Sequence, residues 1–205
     1  MAYESAPQFR TLHALRIKGF AKAETLAELA DLPVADVDGH LADLQAQELA
    51  IFREPRALWQ LTPSGRAFHA AALDSDLDGT DEGRLHAHYQ AFLGRNEEFK
   101  NLCGDWQLRD GNPNDHSDAA YDREVLDRLV ALDASARPIV SAMGEVLARL
   151  APYAPRLEHV CRRVVAGETN MFTGVMCGSY HDVWMELHED LILTQRIDRA
   201  REGSF

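Results

Sequence analysis

The chain is poor in cysteine, in positive charge and in long apolar runs, and each shortage removes a class of protein. Three cysteines, Cys103, Cys161 and Cys177, are scattered over 205 residues. An odd, widely spaced set does not build a disulfide framework and fits a reducing compartment. Without a CxxC pair a cysteine-rich zinc site is not expected. No run approaches the ~18 apolar residues of a membrane span. Met1-Ala2-Tyr3-Glu4-Ser5 has no basic region leading into an apolar stretch, so no signal peptide is expected. The expectation is a cytoplasmic protein without a membrane partner. GxSxG, the Walker A glycine loop and HExxH are also missing, so neither an enzyme nor a bound cofactor is expected.

Positive charge is the most telling shortage. Lys and Arg number 21 against 33 Asp and Glu, for a net charge of −12. Residues 1–73 hold seven bases and nine acids, residues 74–83 five acids and no base, and residues 84–205 fourteen bases and nineteen acids. No segment is basic overall. A nucleic-acid binder draws most of its affinity from Lys and Arg that neutralise phosphates, so any such surface must be local.

What is present is helical periodicity with one short strand pair. Residues 9–20 place Phe9, Leu12, Ala14 and Ile17 near helical spacing, and Gly19 ends the run. A short helix is predicted over 23–30, stopped before Pro33, and a third over 34–48 with Val37, Leu41 and Leu44 on one face. Strands are predicted over 50–53 and 57–61, with Glu54-Pro55-Arg56 as the hairpin turn. Thr62-Pro63 then supplies an N-cap and a first-turn proline for the next helix.

Helix, helix, turn, helix, hairpin, helix is the order of a winged helix-turn-helix. The run TLAELADLPVADVDGHLADLQAQELA, followed by WQLTPSGRA, resembles the MarR-type winged helix-turn-helix transcriptional regulators over residues 8–73. Its most specific part is Leu61-Thr62-Pro63-Ser64-Gly65-Arg66. The resemblance implies a DNA-binding homodimer with helix 34–48 in the major groove. Ala35, Asp38, His40 and Gln47 would face bases, with Arg53 and Arg56 on the wing and Lys22 near the backbone. That helix has no Lys or Arg and carries Asp36, Asp38, Asp43 and Glu48. Its charge suits the helix dipole and repels phosphate. Cations that compensate are sought instead at Arg10, Arg16, Lys18 and Lys22.

The rest of the chain is expected to be mainly α. Residues 74–83 read as an acidic linker. Residues 84–205 read as a helical bundle that senses a ligand or docks a partner, with helices over 85–102, 119–132, 134–150, 155–165 and 179–197 and a polar loop over 104–116. This part is weakly similar to uncharacterised segments paired with winged helices, some attached to enzymes similar to pyruvate phosphate dikinase. An unknown small molecule is expected between Trp106, Tyr121, Tyr180 and Trp184, anchored by Arg109, His116, His181 and His188. Cys177, His181 and His188 share a helical stripe, but the histidines stand ~10 Å apart along the axis, too far for one ion. No metal is therefore expected. The sequence reading is a MarR-like regulator that senses a small molecule; the alternative is a winged-helix adaptor that contacts protein, motivated by the acidic helix.

Overall fold

Helical spacing of the apolar positions dominates the chain, and the computed structural model, which describes residues 1–197, is accordingly mainly α. The first part contains α1 (Pro7–Lys18), β1 (Phe20–Ala21), α2 (Ala23–Ala30), α3 (Val34–Ala46), β2 (Ala50–Arg53), β3 (Leu58–Leu61) and α4 (Pro63–Asp76). The turn between β2 and β3 is a single 3-10 turn over Glu54–Arg56. Val37, Leu41 and Leu44 of α3 are buried as their spacing predicts. The β2–β3 hairpin pairs Ala50 with Leu61 and Arg53 with Leu58. A third strand, which hydrophobic pattern does not reveal in two residues, adds β1 antiparallel to β3, giving the order β1-β3-β2.

The segment Leu61–Arg66 has a clear physical job. The Thr62 hydroxyl accepts from Gly65 N–H at 3.0 Å, capping α4, and donates to the Glu48 carbonyl at 2.8 Å. A Cβ on Gly65 would lie 1.9 Å from the Leu49 carbonyl oxygen, so α4 can begin only where that position is glycine.

Helices α5 (Glu82–Gln107), α6 (Ala119–Gly144), α7 (Tyr153–Val165), α8 (Asn170–Thr173) and α9 (Tyr180–Thr194) follow. Helix α5 packs along α6, α6 against α7, and α7 against both α8 and α9. Several boundaries differ from expectation. The acidic segment 74–83 is helical at both ends, and Asp76 and Leu77 are buried, so only residues 77–81 connect α4 to α5. The two helices expected over 119–150 form one 26-residue helix that carries Pro138 in its interior. That helix stops at Gly144, where a Cβ would stand 2.7 Å from Ala151 Cα. A 3-10 turn over Ala148–Leu150 follows. The polar loop is partly absorbed by α5, and its remainder forms a small hairpin, β4 (Leu108–Arg109) with β5 (Asn112–Pro113). Ser179 and Asp182 form a reciprocal capping box at the start of α9.

One continuous apolar core runs through both parts, from Phe9 and Leu12 of α1 to Leu187 and Leu191 of α9. The N-terminal residues stitch the parts together. Tyr3 N–H donates to the Val146 carbonyl and Ala148 N–H to the Tyr3 carbonyl, both at 2.9 Å. Among the described residues no helix is long and apolar enough to cross a membrane.

Candidate functional site

The junction between the two parts holds a buried polar network. His13 on α1, flanked by buried Leu12 and Ala14, points Nε2 at Asp190 Oδ1 on α9, 3.0 Å away. His13 Nδ1 lies 2.9 Å from His69 Nε2 on α4. Arg149 Nη1 also stands 2.9 Å from His13 Nε2, so that ring nitrogen is shared between a carboxylate and a guanidinium. Arg149 donates to the same Asp190 oxygen and to Thr194 Oγ1, and its Nε stands 3.7 Å from Asp76 Oδ2. The Tyr153 hydroxyl donates to Asp190 Oδ2 at 3.1 Å, and Ser5 donates to Asp76 at 2.8 Å.

Burial sets the protonation of this network. Desolvation, reinforced by Arg149, lowers the pKa of His13, and desolvation with His13 beside it pushes His69 down to about 3. Desolvation also works against the Asp190 carboxylate, but Arg149 and His13 overcome it and hold that carboxyl well below the usual range. Asp76 goes the other way, raised by burial despite Ser5 and Arg149. The network is therefore one guanidinium among two carboxyls, with both imidazoles neutral.

Beside this network lies an open groove of about 620 Å³ between the two parts. Lys18, Phe20 and Leu58 line one wall, and Arg156, Met176 and Met185 the other. Between them Glu186 accepts from Lys18 Nζ and, at 2.7 Å, from Arg156 Nη2. Apolar side chains crowd its rim: Phe20 is 44% exposed, Met185 40% and Met176 81%. Two thioethers and a phenyl ring left open to solvent suit an adaptable binding wall. The segment that carries Met176 is pinned by Asp182, whose carboxylate accepts N–H bonds from Met176, Cys177 and Gly178 at 3.2, 2.9 and 2.9 Å.

Of the eight residues expected around a ligand, only His181 lines this groove. Tyr180 and Trp184 are fully buried, with Trp184 stacked on Phe92 and its Nε1–H donated to Asn96 at 2.9 Å. His188 is buried with its ring 5.8 Å from that of Phe92. The other four meet at the corner between α5 and α6. Trp106 is buried against Phe172 and His116; His116 Nδ1 is 3.0 Å from Asp122 Oδ2. Arg109 sits over the Tyr121 ring and pairs with Asp118, and the Tyr121 hydroxyl donates to the Asp105 carbonyl. The aromatic residues that suggested a pocket are therefore divided between a packed core and a self-satisfied corner. Sequence gives no distance information between helices, so the groove residues Phe20, Leu58, Arg156, Met176 and Met185 were missed. Four of these five are apolar or thioether side chains that read as core.

Cys177 is exposed while His188 is buried, so the stripe that joined them does not converge. Among the described residues no three His, Cys, Asp or Glu side chains are grouped to hold a metal.

The residues expected to face DNA fall on three elements, α3, the β2–β3 hairpin and the start of α2. Ala35 and Asp38 are exposed on α3; His40 is half-buried, its Nδ1 2.9 Å from Thr11 Oγ1. Gln47 is exposed at the end of α3 and donates to the Asp43 carbonyl. Arg53 and Arg56 are exposed at the hairpin tip and Lys22 just before α2. The other cations are engaged internally. Arg10 donates to the carbonyls of Ala30 and Asp31, Arg16 pairs with Glu189 at 3.1 Å, and Lys18 pairs with Glu186. Glu24, Glu28 and Asp31 line a depression beside the start of α3, together with Pro33 and Val34. Asp36, Asp38, Asp43 and Glu48 extend the exposed acidic surface along α3.

No protein-family model matches the chain, and neither a curated protein nor a solved structure is similar enough to count as a match.

Proposed function

We propose that the protein is a winged-helix regulatory module that senses a small molecule in the junction groove and acts through α3 on a basic protein partner. Residues 7–76 are read as the winged helix-turn-helix unit of MarR type, with α2 and α3 as the helix pair and β2–β3 as the wing. The groove supports the sensing role because its walls come from both parts. A molecule held there shifts their arrangement only as far as it binds one arrangement better than another.

The observation that carries the choice of partner is the charge around α3. Asp36, Asp38, Asp43 and Glu48 are exposed, Glu24, Glu28 and Asp31 lie beside the helix, and α3 itself has no cation. Such a surface repels phosphate and attracts Lys and Arg. The test is retention on a lysine-rich peptide matrix. Wild type should elute late in salt, Asp36→Asn/Asp38→Asn early, and a Glu97→Gln/Asp127→Asn control of equal charge should elute with wild type. A control that elutes with the α3 variant would reduce the effect to net charge and remove the reading.

The second reading is a transcriptional regulator that binds DNA as a homodimer. It is favoured by Lys22, Arg53 and Arg56, exposed and in no ion pair among the described residues. Three phosphate contacts per protomer would give a slope of about −3 in log K against log salt for each protomer. Retardation of DNA with such a slope would favour this reading over protein docking.

A further inference from the structure

We infer that a depression between α1, α3 and α4 takes the apolar face of a basic amphipathic helix of a protein partner; the inference rests on the docking role proposed for α3 and names its anchor point. The depression holds about 300 Å³, the small end of the range for organic ligands, and suits side chains carried in on another element. Its floor and far wall are Phe9 and Leu12 of α1, Leu44 of α3, and Phe68 and Ala72 of α4. Phe9, Leu12 and Leu44 are buried beneath, whereas Phe68 stands 47% exposed. The exposed positions beside Phe68 on α4, Ser64, Ala67 and Ala71, are small, so a helix laid on this face can come close. A lone exposed phenyl ring is ordinary, but here it continues an apolar floor into the open.

The near wall sets the charge of the occupant. His40, Asp43, Leu44 and Gln47 recur at helical spacing, so one face of α3 turns its polar groups to the rim. His40 is fixed there by its Nδ1, 2.9 Å from Thr11 Oγ1. Gln47 donates an amide N–H to the Asp43 carbonyl at 3.1 Å, which leaves its Oε1 as an acceptor. The Asp43 carboxylate has no partner among the described residues. No Lys or Arg lines the depression, and the same stretch of chain carries Asp36, Asp38 and Glu48 in the open. The rim therefore offers acceptors and one uncompensated negative charge beside an apolar floor. A helix with apolar side chains at every third or fourth position and Lys or Arg flanking them matches both, the mode in which an amphipathic helix lies in a groove.

The test is fluorescence anisotropy of the full chain with a labelled helical peptide of lysine, leucine and alanine, its leucines along one face and its lysines along the other. It should bind once per chain, and its counterpart with alanine for every leucine at least about tenfold more weakly, because the anchor side chains are gone. A counterpart with glutamate for lysine should not bind. Phe68→Gln should bring the leucine peptide down to the level of the alanine peptide. Val130→Gln, at a position on α6 that is 43% exposed, should leave it unchanged. Asp43→Asn should weaken it about two- to fivefold, the worth of an exposed ion pair. Leucine-peptide binding that is unchanged in Phe68→Gln, or lost equally in Val130→Gln, or never saturable, would overturn the site. A glutamate peptide that binds as tightly as the lysine one would overturn the basic class. A dimer of the protein alone in analytical ultracentrifugation, dissociated by Phe68→Gln, would put a second copy in the depression and overturn the partner. Leucine and alanine peptides that bind equally, both weakened by Asp36→Asn/Asp38→Asn, would overturn the anchor and sustain docking on α3. Binding that depends on Phe68 while Asp36→Asn/Asp38→Asn still elutes with wild type from the lysine-rich matrix would sustain the anchor and overturn that docking.

Discussion

His13 and Asp190 stand 177 positions apart in the chain, yet their side chains meet at 3.0 Å in the interior, each almost wholly removed from water. This contact fastens α1 to α9 and makes the two parts one structural unit. Arg149, Thr194 and Tyr153 complete the shell around the same carboxylate.

Truncating Asp190 should therefore be severe. Asp190→Ala leaves the Arg149 guanidinium buried without its main counter-ion and strands the hydrogen bonds of His13 and Tyr153. Breaking one side of a buried pair typically costs about 3–5 kcal/mol, and a loss in that range is expected by urea denaturation. A loss below about 1 kcal/mol would mean that Asp76 takes over as the counter-ion of Arg149.

Acid should loosen the same junction, and the sign follows from the imidazoles. His13 and His69 have pKa values below 6.5 in the folded chain, His69 at about 3, so below pH 6.5 the unfolded chain binds protons that the folded chain refuses. The contribution of His69 is fully present above about pH 7 and falls as pH drops from 6.5 toward 3, at up to about 1.4 kcal/mol per pH unit, and His13 adds to it in the same sense. The depressed Asp190 adds a further loss below the usual carboxylate range, whereas the raised Asp76 works in the opposite sense above that range. Replacing His69 by Gln should flatten the slope between pH 6 and 4 in chemical denaturation. An unchanged slope would show that His69 takes up its proton in the folded state.

Gly65→Ala should damage the first part specifically. The added Cβ would meet the Leu49 carbonyl oxygen at 1.9 Å, and backbone cannot rotate away as a side chain can. A destabilisation of about 2 kcal/mol or more is expected, at the upper end for an overpacked site. Ser64→Ala, next to it and exposed, should stay within about 0.5 kcal/mol. Equal effects of the two would mean that the start of α4 moves freely.

The residues that were legible in the sequence are those whose information is local. Thr62 and Pro63 announced the start of α4, and the spacing of Val37, Leu41 and Leu44 gave the buried face of α3. The junction was not legible. His13, His69 and Asp190 each sit among apolar neighbours on different helices, and only tertiary packing shows that they need one another. Trp184 and Tyr180 misled for the same reason: an aromatic stripe at helical spacing is the same in sequence whether it lines a cavity or, as here, fills the core against Phe92 and Phe99.

Glu186 offers a way to weigh the tie between the parts on the groove side. Its carboxylate holds Lys18 of α1 and Arg156 of α7, with its own side chain about nine-tenths buried. Glu186→Gln keeps the shape and removes the charge, leaving two partly buried cations facing a neutral amide. Stability should fall by about 1–3 kcal/mol, the usual cost when a charged partner is lost at a mostly shielded site. A loss below about 0.5 kcal/mol would mean that Lys18 and Arg156 find other acceptors once the carboxylate is gone.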